Sequence, residues 1–198
     1  MGEKNRELRA ASASEEDLRS LAERMRSVHI SRIREMPRIE LYLDQLLTLV
    51  SQELEFMQVP GETLVTGSMV NNYVKQGVIP APRKKRYTRR HVASLLFVCA
   101  LKRVFSISQV SQLAALIWSS ELDLEALYDS SCAALEAALA RRFSPGGEPA
   151  GQESSLVLLD KDGGPAETGL AWLLQAAMDA LADKVAVEQA LLLGEREA

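Results

Sequence analysis

The most informative stretch of the sequence combines short hydrogen-bonding side chains with a dense run of cations. Over residues 66–92 it reads TGSMVNNYVKQGVIPAPRKKRYTRRHV. Four polar residues recur with the i, i+3, i+4, i+7 spacing of one helix face: Ser68, Asn71, Asn72 and Lys75. Because an asparagine amide can make two hydrogen bonds to the edge of an adenine, this face has the chemistry needed to read DNA bases directly.

The opposite face of the same helix is apolar, and the helix has a clear stop. The apolar stripe consists of Met69, Val70, Tyr73 and Val74. Gly77 favours a helix end, and Pro80 and Pro82 keep the next residues extended. Six cations then follow within eight residues: Arg83, Lys84, Lys85, Arg86, Arg89 and Arg90. An amphipathic helix, a rigid exit and a basic loop are typical of a winged helix-turn-helix.

The distribution of charge separates this stretch from the rest of the chain. All 198 residues together hold 23 basic and 27 acidic side chains, a formal charge of -4, which alone argues against a nucleic-acid partner. Residues 63–120, however, contain nine basic side chains and no acid, leaving 14 basic and 27 acidic side chains elsewhere. A block of one sign shapes the local field that a polyanion meets, whatever the net charge. The simpler interpretation of the basic run is a solvated loop.

Length and composition limit the remaining possibilities. A chain of 198 residues suits one domain with appendages or two small domains, and 47% hydrophobic residues are enough for a packed core. Aromatic residues make up only 5%, which weakens RNA or single-strand binding by base stacking. The charged start, MGEKNRELRA, lacks the apolar core of a secretion signal, and no run of 18 apolar residues exists. A cytoplasmic location is expected.

Apolar spacing and capping residues predict the other helices. A helix with a broad apolar face is expected from Ile39 to Leu54, a last one over residues 169–193, and frayed chain over residues 1–13. Helix starts are predicted at Ser14, Thr88, Ser106 and Ser120. An acid or a glutamine follows each serine by three residues, and a long apolar run follows Thr88. The Arg89 and Arg90 side chains in a first helical turn oppose the helix dipole, so they either meet a bound phosphate or extend into water.

No arrangement of residues in the sequence predicts catalysis or a metal site. The two histidines, His29 and His91, are far apart, and His91 is expected to be a surface side chain or a phosphate contact. Cys99 and Cys132 each lie in an apolar helical pattern, which predicts buried free thiols. No CxxC, HExxH, GxSxG or P-loop spacing occurs. We expect no enzyme activity and no cofactor.

The segment NYVKQGVIPAPRKKRYTRRHVASLL resembles the start of a MerR-type regulator. In such proteins a recognition helix ends in an aromatic residue, a glycine, two apolar residues and a proline, and a basic wing and a tyrosine follow. In more detail, the chain is similar over roughly residues 39–117 to a bacterial family called domain of unknown function eighteen-thirty-six, whose members carry close variants of SMVNNYVKQGVIPAP and KKRYTRRHVA. The resemblance implies a MerR-like fold and DNA binding, and it supplies no ligand.

The resemblance can be carried over residue by residue. Tyr73 matches the aromatic residue, Gly77 the turn glycine, and Tyr87 the tyrosine that closes the wing. Lys85 stands where the wing of MerR proteins has an arginine, and Asn71 where their recognition helix has one, so the base contacts there differ. The loop before the helix is longer than a MerR turn, and the N-terminal extension has no counterpart.

The predicted fold is mainly α: a MerR-like winged helix-turn-helix with a short β wing and flanking helices. Its segments are an N-terminal helical extension (1–37), the winged helix-turn-helix domain (38–118), a helix that could support dimerisation (119–143), a flexible linker (144–168) and a C-terminal helix (169–198). Within the linker, residues 156–159 form a short strand or pack irregularly, and the sequence supports both.

The function that these patterns favour is DNA binding by a bacterial transcription regulator. Its recognition helix would be 68–76 and its basic wing 83–90. The expected DNA-contacting residues are Ser68, Asn71, Asn72, Lys75, Arg83, Lys84, Lys85, Arg86, Tyr87, Arg89 and Arg90. A homodimer on double-stranded DNA is expected, since one small domain covers little DNA. The alternative is a protein-interaction or adaptor module that docks an acidic partner without binding DNA.

Overall fold

The computed structural model describes residues 14–144, 156–166 and 168–195, and its regular structure is almost entirely helical. In the described residues there are seven α-helices and one 3-10 helix (Glu55–Met57). The α-helices are α1 (Glu15–Arg26), α2 (Leu43–Glu53), α3 (Gly67–Lys75), α4 (Arg89–Leu101), α5 (Ile107–Trp118), α6 (Leu124–Arg142) and α7 (Thr168–Glu195). The mainly α fold predicted from the sequence is confirmed, while the predicted frayed segment 1–13 lies outside the described residues.

Two of the predicted helix starts form with the expected side-chain caps. The Ser14 hydroxyl accepts a hydrogen bond from the Asp17 amide at 3.1 Å and begins α1. At the start of α5, the Gln109 side chain accepts from the Ser106 amide at 2.9 Å, and the Ser106 hydroxyl accepts from the Gln109 amide at 3.3 Å. Each cap satisfies backbone N–H groups that have no partner inside the helix.

The start predicted at Ser120 is wrong by three residues. Asp123 is the N-cap of α6, and its carboxylate accepts from the amides of Glu125 and Ala126 at 2.9 and 3.1 Å. The Ser120 hydroxyl instead donates to the Ile117 carbonyl at 2.7 Å and closes the end of α5. Asp123 is a better N-cap than Ser120 here, because its carboxylate accepts two amide hydrogen bonds and carries the negative charge that a helix N-terminus favours.

The core lies around α4, α6 and α7. Helix α4 is buried on nearly every side, as its continuous apolar sequence predicts. Helix α7 packs mainly against α6 and also contacts α1 and α4. Fully buried leucines come from all three helices and include Leu95, Leu139, Leu174 and Leu181. Because α6 is buried along its length, its predicted role in dimerisation has little free apolar surface to use.

Hydrogen bonds hold the chain between α1 and α2 against α6 and the end of α2. The Ser31 amide donates to the Glu53 carboxylate at 2.8 Å, and the Ile33 amide donates to Asp129 at 3.0 Å. The Tyr128 hydroxyl donates to the Ser31 carbonyl at 3.1 Å. These contacts satisfy backbone groups that lie in no helix, so the connection is fixed without regular structure.

Part of the segment predicted as a flexible linker packs into the body. Residues 145–155 and 167 lie outside the described residues, but Leu156 and Leu158 are buried. The Asp160 amide donates to the Gly164 carbonyl at 2.9 Å in a tight turn. Residues 156–166 therefore belong to the folded body, with isolated bridges in place of a strand.

The short β wing predicted from the sequence is not confirmed. Within the described residues, pairing between extended segments is limited to isolated bridges, including Leu41 with Tyr87 and Arg83 with Arg86. Pro80 and Pro82 precede the basic residues where an incoming strand would run. Because proline has no N–H to donate to a ladder, this segment cannot pair continuously.

Candidate nucleic-acid interface

Helix α3 presents its four polar residues on a single exposed face. The Thr66 hydroxyl caps the helix by accepting from the Met69 amide at 3.1 Å. Val70 and Tyr73 are buried and anchor the inner face. The exposed residues are those singled out in the sequence: Ser68, Asn71, Asn72 and Lys75. The predicted division of this helix into a core face and a polar face is confirmed.

The polar face of α3 makes almost no contacts of its own with the protein. The side-chain oxygen of Asn72 accepts a hydrogen bond from the exposed Gln76 side chain at 3.3 Å. In the described part of the chain, no side-chain hydrogen bond involves Ser68 or Asn71, and no ion pair involves Lys75. The donors and acceptors of this face are therefore free to meet an external partner.

A tight C-terminal cap fixes how the chain leaves α3. Gly77 has φ 69°, a left-handed conformation that glycine adopts without strain. The Gly77 amide donates to the Val74 carbonyl at 3.0 Å, and the Val78 amide donates to the Tyr73 carbonyl at 2.9 Å. Val78 and Ile79 are buried directly after the cap. The helix end predicted at Gly77 is confirmed, and the exit is held by both hydrogen bonds and packing.

Residues 83–86 form a two-residue hairpin turn with its lysines at the tip. The Arg86 amide donates to the Arg83 carbonyl at 2.9 Å. Lys84 and Lys85 both have positive φ, 50° and 59°, as in a type I′ turn. Asparagine and glycine are the residues that normally occupy such positions, because other L-residues are strained there by about 1–2 kcal/mol each. We call residues 83–86 the basic turn.

Arg86, the last residue of the basic turn, and Tyr87 after it are held by the segment just before α2. The Leu41 amide donates to the Tyr87 carbonyl at 2.8 Å, and the Tyr87 amide donates back to the Leu41 carbonyl at 3.0 Å. The Arg86 guanidinium lies 3.5 Å from the centre of the Tyr42 ring and hydrogen-bonds the Tyr42 hydroxyl. Tyr42 is exposed and was not among the predicted site residues. Only the tertiary fold brings it to Arg86, 44 residues away.

Tyr87 corrects the predicted set of DNA contacts. Its side chain is only 4% exposed and belongs to the core. Burial raises the pKa of its hydroxyl above the usual value, because the charged form loses water. Its ring meets that of His91 edge to face, with centroids 5.7 Å apart. Tyr87 thus packs beneath the basic turn, and its side chain does not reach the surface that the other predicted contact residues form.

The start of α4 holds two arginines in different surroundings. Arg89 is half-buried, and its Nη1 donates to the Ile33 carbonyl at 3.3 Å. Arg90 is exposed. His91, expected at the surface, is buried, and its Nδ1 accepts from the Thr88 amide at 3.0 Å. That bond caps the start of the helix, while the Nε2 atom of the ring is buried without a hydrogen-bond partner in the described chain.

None of the seven cations between residues 75 and 90 forms an ion pair with a described residue. We call them the cationic set: Lys75, Arg83, Lys84, Lys85, Arg86, Arg89 and Arg90. No acid lies in the first turn of α3 or α4. Neighbouring like charges repel one another when no anion is bound, so this surface is suited to a polyanion.

Arg103 belongs to the same acid-free stretch of sequence but has a structural role. Its side chain is 9% exposed and forms ion pairs with both Glu62 and Glu188. Burial opposes its charged form, yet hydrogen bonds to Glu188 and Glu62 outweigh that effect and raise its pKa. Arg103 thereby connects α7 to the loop before α3, and its charge is not available to a ligand.

Other chemistry has little support among the described residues. The described residues contain no group of three or more His, Cys, Asp or Glu side chains that could hold a metal ion. Cys99 and Cys132 are buried free thiols, as predicted, and burial raises the pKa of each to about 12. None of the helices in the described ranges is long and apolar enough to cross a membrane.

Comparisons with known proteins give one result. No curated protein and no solved structure shows significant similarity to the chain. A family model matches residues 31–131, a range that begins in the segment fixed against α6, includes α2 to α5 and ends within α6. The match contains the polar face of α3, the basic turn and the start of α4. The chain therefore belongs to the family described as domain of unknown function (DUF1836).

Proposed function

We propose that this protein is a DNA-binding transcription regulator of bacterial type, built on a MerR-like winged helix-turn-helix. Helix α3 enters the major groove, and the basic turn with Arg89 and Arg90 contacts the phosphate backbone on either side. The observation that carries the proposal is the cationic set, in which no side chain is paired with an acid of the described chain. Phosphates would supply the missing negative charge.

The polar face of α3 supplies the means to distinguish sequences. Asn71 and Asn72 can each accept from and donate to the edge of an adenine, and Lys75 can donate to a guanine. Ser68, near the start of the helix, can bond to a base or a phosphate. These side chains are exposed and have few internal partners, so binding does not require breaking existing contacts.

The backbone of the basic turn supports a role for its charge. Lys84 and Lys85 occupy left-handed positions that Asn and Gly would fill with less strain. Local conflicts of this kind are concentrated at functional sites, where another requirement outweighs stability. A requirement for two cations at the tip of the turn accounts for the lysines.

The contact between Arg86 and Tyr42 prepares one of these cations for binding. A free arginine side chain loses about 2 kcal/mol of rotamer entropy when it becomes fixed. In the unbound protein Arg86 is already held on the Tyr42 ring and hydrogen-bonded to its hydroxyl. Part of that entropy is lost on folding, so less is lost when a phosphate binds.

A homodimer is the form in which such a protein would read two half-sites. Helix α7 carries exposed apolar side chains, including Trp172, Val187 and Leu191. Helix α6, the other candidate, has most of its apolar residues buried within the chain. We therefore assign the dimer contact to α7.

An interaction module that docks an acidic protein is the second candidate. The same unpaired cations favour it, because an acidic peptide also carries negative charge. The two candidates differ in what they recognise: DNA binding requires α3 to read bases, whereas docking needs only the charge. Sequence selectivity is therefore the property that separates them.

Two measurements on the purified protein test the proposal. Affinity for a random duplex is first measured over a range of salt concentrations, and for about five phosphate contacts the log–log slope should be about -4.5. A selection from random DNA should then enrich one motif. Salt-independent binding would contradict phosphate contacts, and binding without an enriched motif would favour the interaction module.

A further inference from the structure

An apolar cavity lies between α4, α5 and α6, beside the cationic set. Its volume is about 70 Å³, more than a single water needs. Its walls are formed mainly by apolar side chains, among them Ile33, Phe97, Ala114, Ile117 and Trp118. The cavity is partly open to solvent, since Trp118 in its wall is 43% exposed and Arg90 is also exposed.

The cavity has a polar mouth with an excess of positive charge. Arg90 and Glu125 line the cavity and also an adjoining open pocket of about 390 Å³. Arg38, Arg89 and Glu40 complete the charged side chains of that pocket. None of these three arginines is ion-paired with a described carboxylate. Three cations therefore face two acids at the mouth.

A hydroxyl inside the cavity also has no protein partner. Ser94 lines the wall one helical turn after Arg90, and no side-chain hydrogen bond involves it among the described residues. Binding sites for small molecules combine an apolar interior with a few polar groups that orient the ligand. Arg90 at the mouth and Ser94 within provide that combination.

We infer that this cavity binds a small molecule with an apolar body and an anionic head, such as a carboxylic acid. The body fills the space between α4 and α5, and the head bonds to Arg90, with Arg38 or Arg89 beside it. The carboxylate head balances the one positive charge by which the three arginines exceed Glu125 and Glu40. This binding does not depend on whether the protein binds DNA.

The site has a regulatory consequence that rests on the proposed function. Arg89 and Arg90 belong to both the pocket and the surface assigned to phosphate contacts. An acid held by these arginines competes with DNA phosphates for them. Binding of the acid should therefore weaken DNA binding, and DNA should weaken binding of the acid by the same factor.

Trp118 makes direct binding measurable, since it lines the cavity. The other tryptophan, Trp172, is 72% exposed on α7, and a Trp118→Phe variant measures its separate contribution to the signal. Isobutyrate and isovalerate, whose short apolar bodies suit the volume, are titrated against the fluorescence of Trp118, with their neutral amides as controls. We expect a saturable change with an acid, at about 10-fold higher affinity than its amide.

A matched pair of variants tests the location. Ala114 lines the cavity, whereas the next residue, Ala115, is exposed on the same helix. Ala114→Leu should fill the space and abolish binding, and Ala115→Leu should leave it unchanged. Circular dichroism confirms that both variants fold; if Ala114→Leu does not, Ser94→Val provides a smaller change in the same wall. No saturable signal with either acid, equal binding of acid and amide, or equal binding by folded wall variants and Ala115→Leu would overturn the site.

DNA affinity measured with and without the acid then tests the regulatory part. A loss of DNA affinity in the unmodified protein that is absent in Ala114→Leu supports the competition. Unchanged DNA affinity at saturating acid overturns the competition and leaves the ligand site standing. If the ligand-free protein binds no DNA, the proposed function fails, while the fluorescence titration alone decides the ligand site.

Discussion

Basic residues are ion-paired in one region of this molecule and lack such pairs in another. In the region of α6 and α7, each described cation after residue 104 is ion-paired: Arg141 with Asp179, Arg142 with Asp183, Lys161 with Glu121, and Lys184 with Glu188. In residues 75–90, the seven members of the cationic set have no such partner in the described chain. The first region resembles an ordinary protein surface, and the second has the charge pattern expected of an anion-binding surface.

The difference teaches that net charge is a poor guide to the partner of this protein. A formal charge of -4 argues against DNA only if the charges are mixed. Here residues 63–120 hold nine basic side chains and no acid, and all 27 acidic side chains lie outside that stretch. Because the potential near a surface falls off over about 10 Å at ordinary salt, the local set decides what binds there.

Reversing charges in the basic turn should give the largest effect. The double change Lys84→Glu and Arg86→Glu replaces two phosphate contacts by repulsion, so the Kd for duplex DNA should rise by about 100-fold and the salt slope should flatten by about 1.8. Fluorescence anisotropy with labelled duplex at several salt concentrations measures both quantities.

The matched control carries the same change of net charge in the other region. Arg142→Glu with Lys161→Glu alters exposed cations that are already paired. Its Kd for DNA should stay within about 3-fold of the original, because charges far from the bound DNA are screened. Equal loss of affinity in the two double variants would remove the distinction between the regions.

Arg103 tests the comparison through protein stability. It lies in the acid-free stretch, yet it forms ion pairs with Glu62 and Glu188. Changing Arg103 to Met leaves Glu188 without one of its partners, and the free energy of unfolding should fall by roughly 2 kcal/mol, less than for a fully buried pair because Glu62 is half exposed. For a chain of this size the Tm should drop by roughly 4–8 °C. A thermal melt of Lys161→Met, which breaks an exposed pair, should show no measurable shift.

The strained lysines allow stability and DNA binding to be changed in opposite directions. Lys84→Asn with Lys85→Gly suits the left-handed backbone, so the free energy of unfolding should rise by about 1 kcal/mol. The same change removes two cations, and DNA affinity should fall by about 10-fold. Chemical denaturation and anisotropy measure the two effects.

A second double variant separates strain from charge in that turn. Lys84→Gln with Lys85→Gln removes the cations but keeps side chains at the left-handed positions. It should match the loss of DNA affinity without the gain in stability. A variant with Asn and Gly that binds DNA as well as the original would show that the lysines are not there for their charge.

The smallest expected effect is a pH dependence at Glu188. Burial would raise its pKa, but hydrogen bonds from Lys184 and Arg103 outweigh that effect and hold the pKa below its ordinary value of 4.5. A carboxylate with a lowered pKa contributes stability above its unfolded pKa and loses it as the pH falls through the folded pKa. Denaturation from pH 7 downwards should show stability falling more steeply below pH 4.5 in the original protein than in Glu188→Gln. Parallel curves would mean that Arg103 and Lys184 do not stabilise the charged form.

Much of the local structure followed from the sequence because its causes are local. The stripe of α3, its end at Gly77 and the capping at Ser14 and Ser106 depend on residues within one or two turns of each other. The exposure of Asn71, Asn72 and Lys75 follows from the same spacing. Such patterns are visible in a single sequence because a helix repeats every 3.6 residues.

The errors have both distant and local causes. Tyr87 and His91 were expected to be accessible, but the body of the protein buries both, and Thr88 takes the imidazole as a helix cap. The β wing was expected from the basic run after the helix and from the resemblance to MerR-type regulators, whereas Pro80 and Pro82 limit pairing to isolated bridges. Tyr42 was missed because nothing near it in the sequence indicates a contact with Arg86.

The sequence by itself determined most of the helices, the two faces of α3 and the concentration of positive charge in a stretch without acids. The tertiary structure decided which cations are free: Arg103 is taken by Glu62 and Glu188, Arg86 rests on Tyr42, and Arg90 stands at the mouth of a cavity. The physical reason is the separation along the chain over which each interaction acts. Helix periodicity and capping act over a few residues, whereas the pairing of a charge depends on whichever side chain the fold brings within a few ångströms.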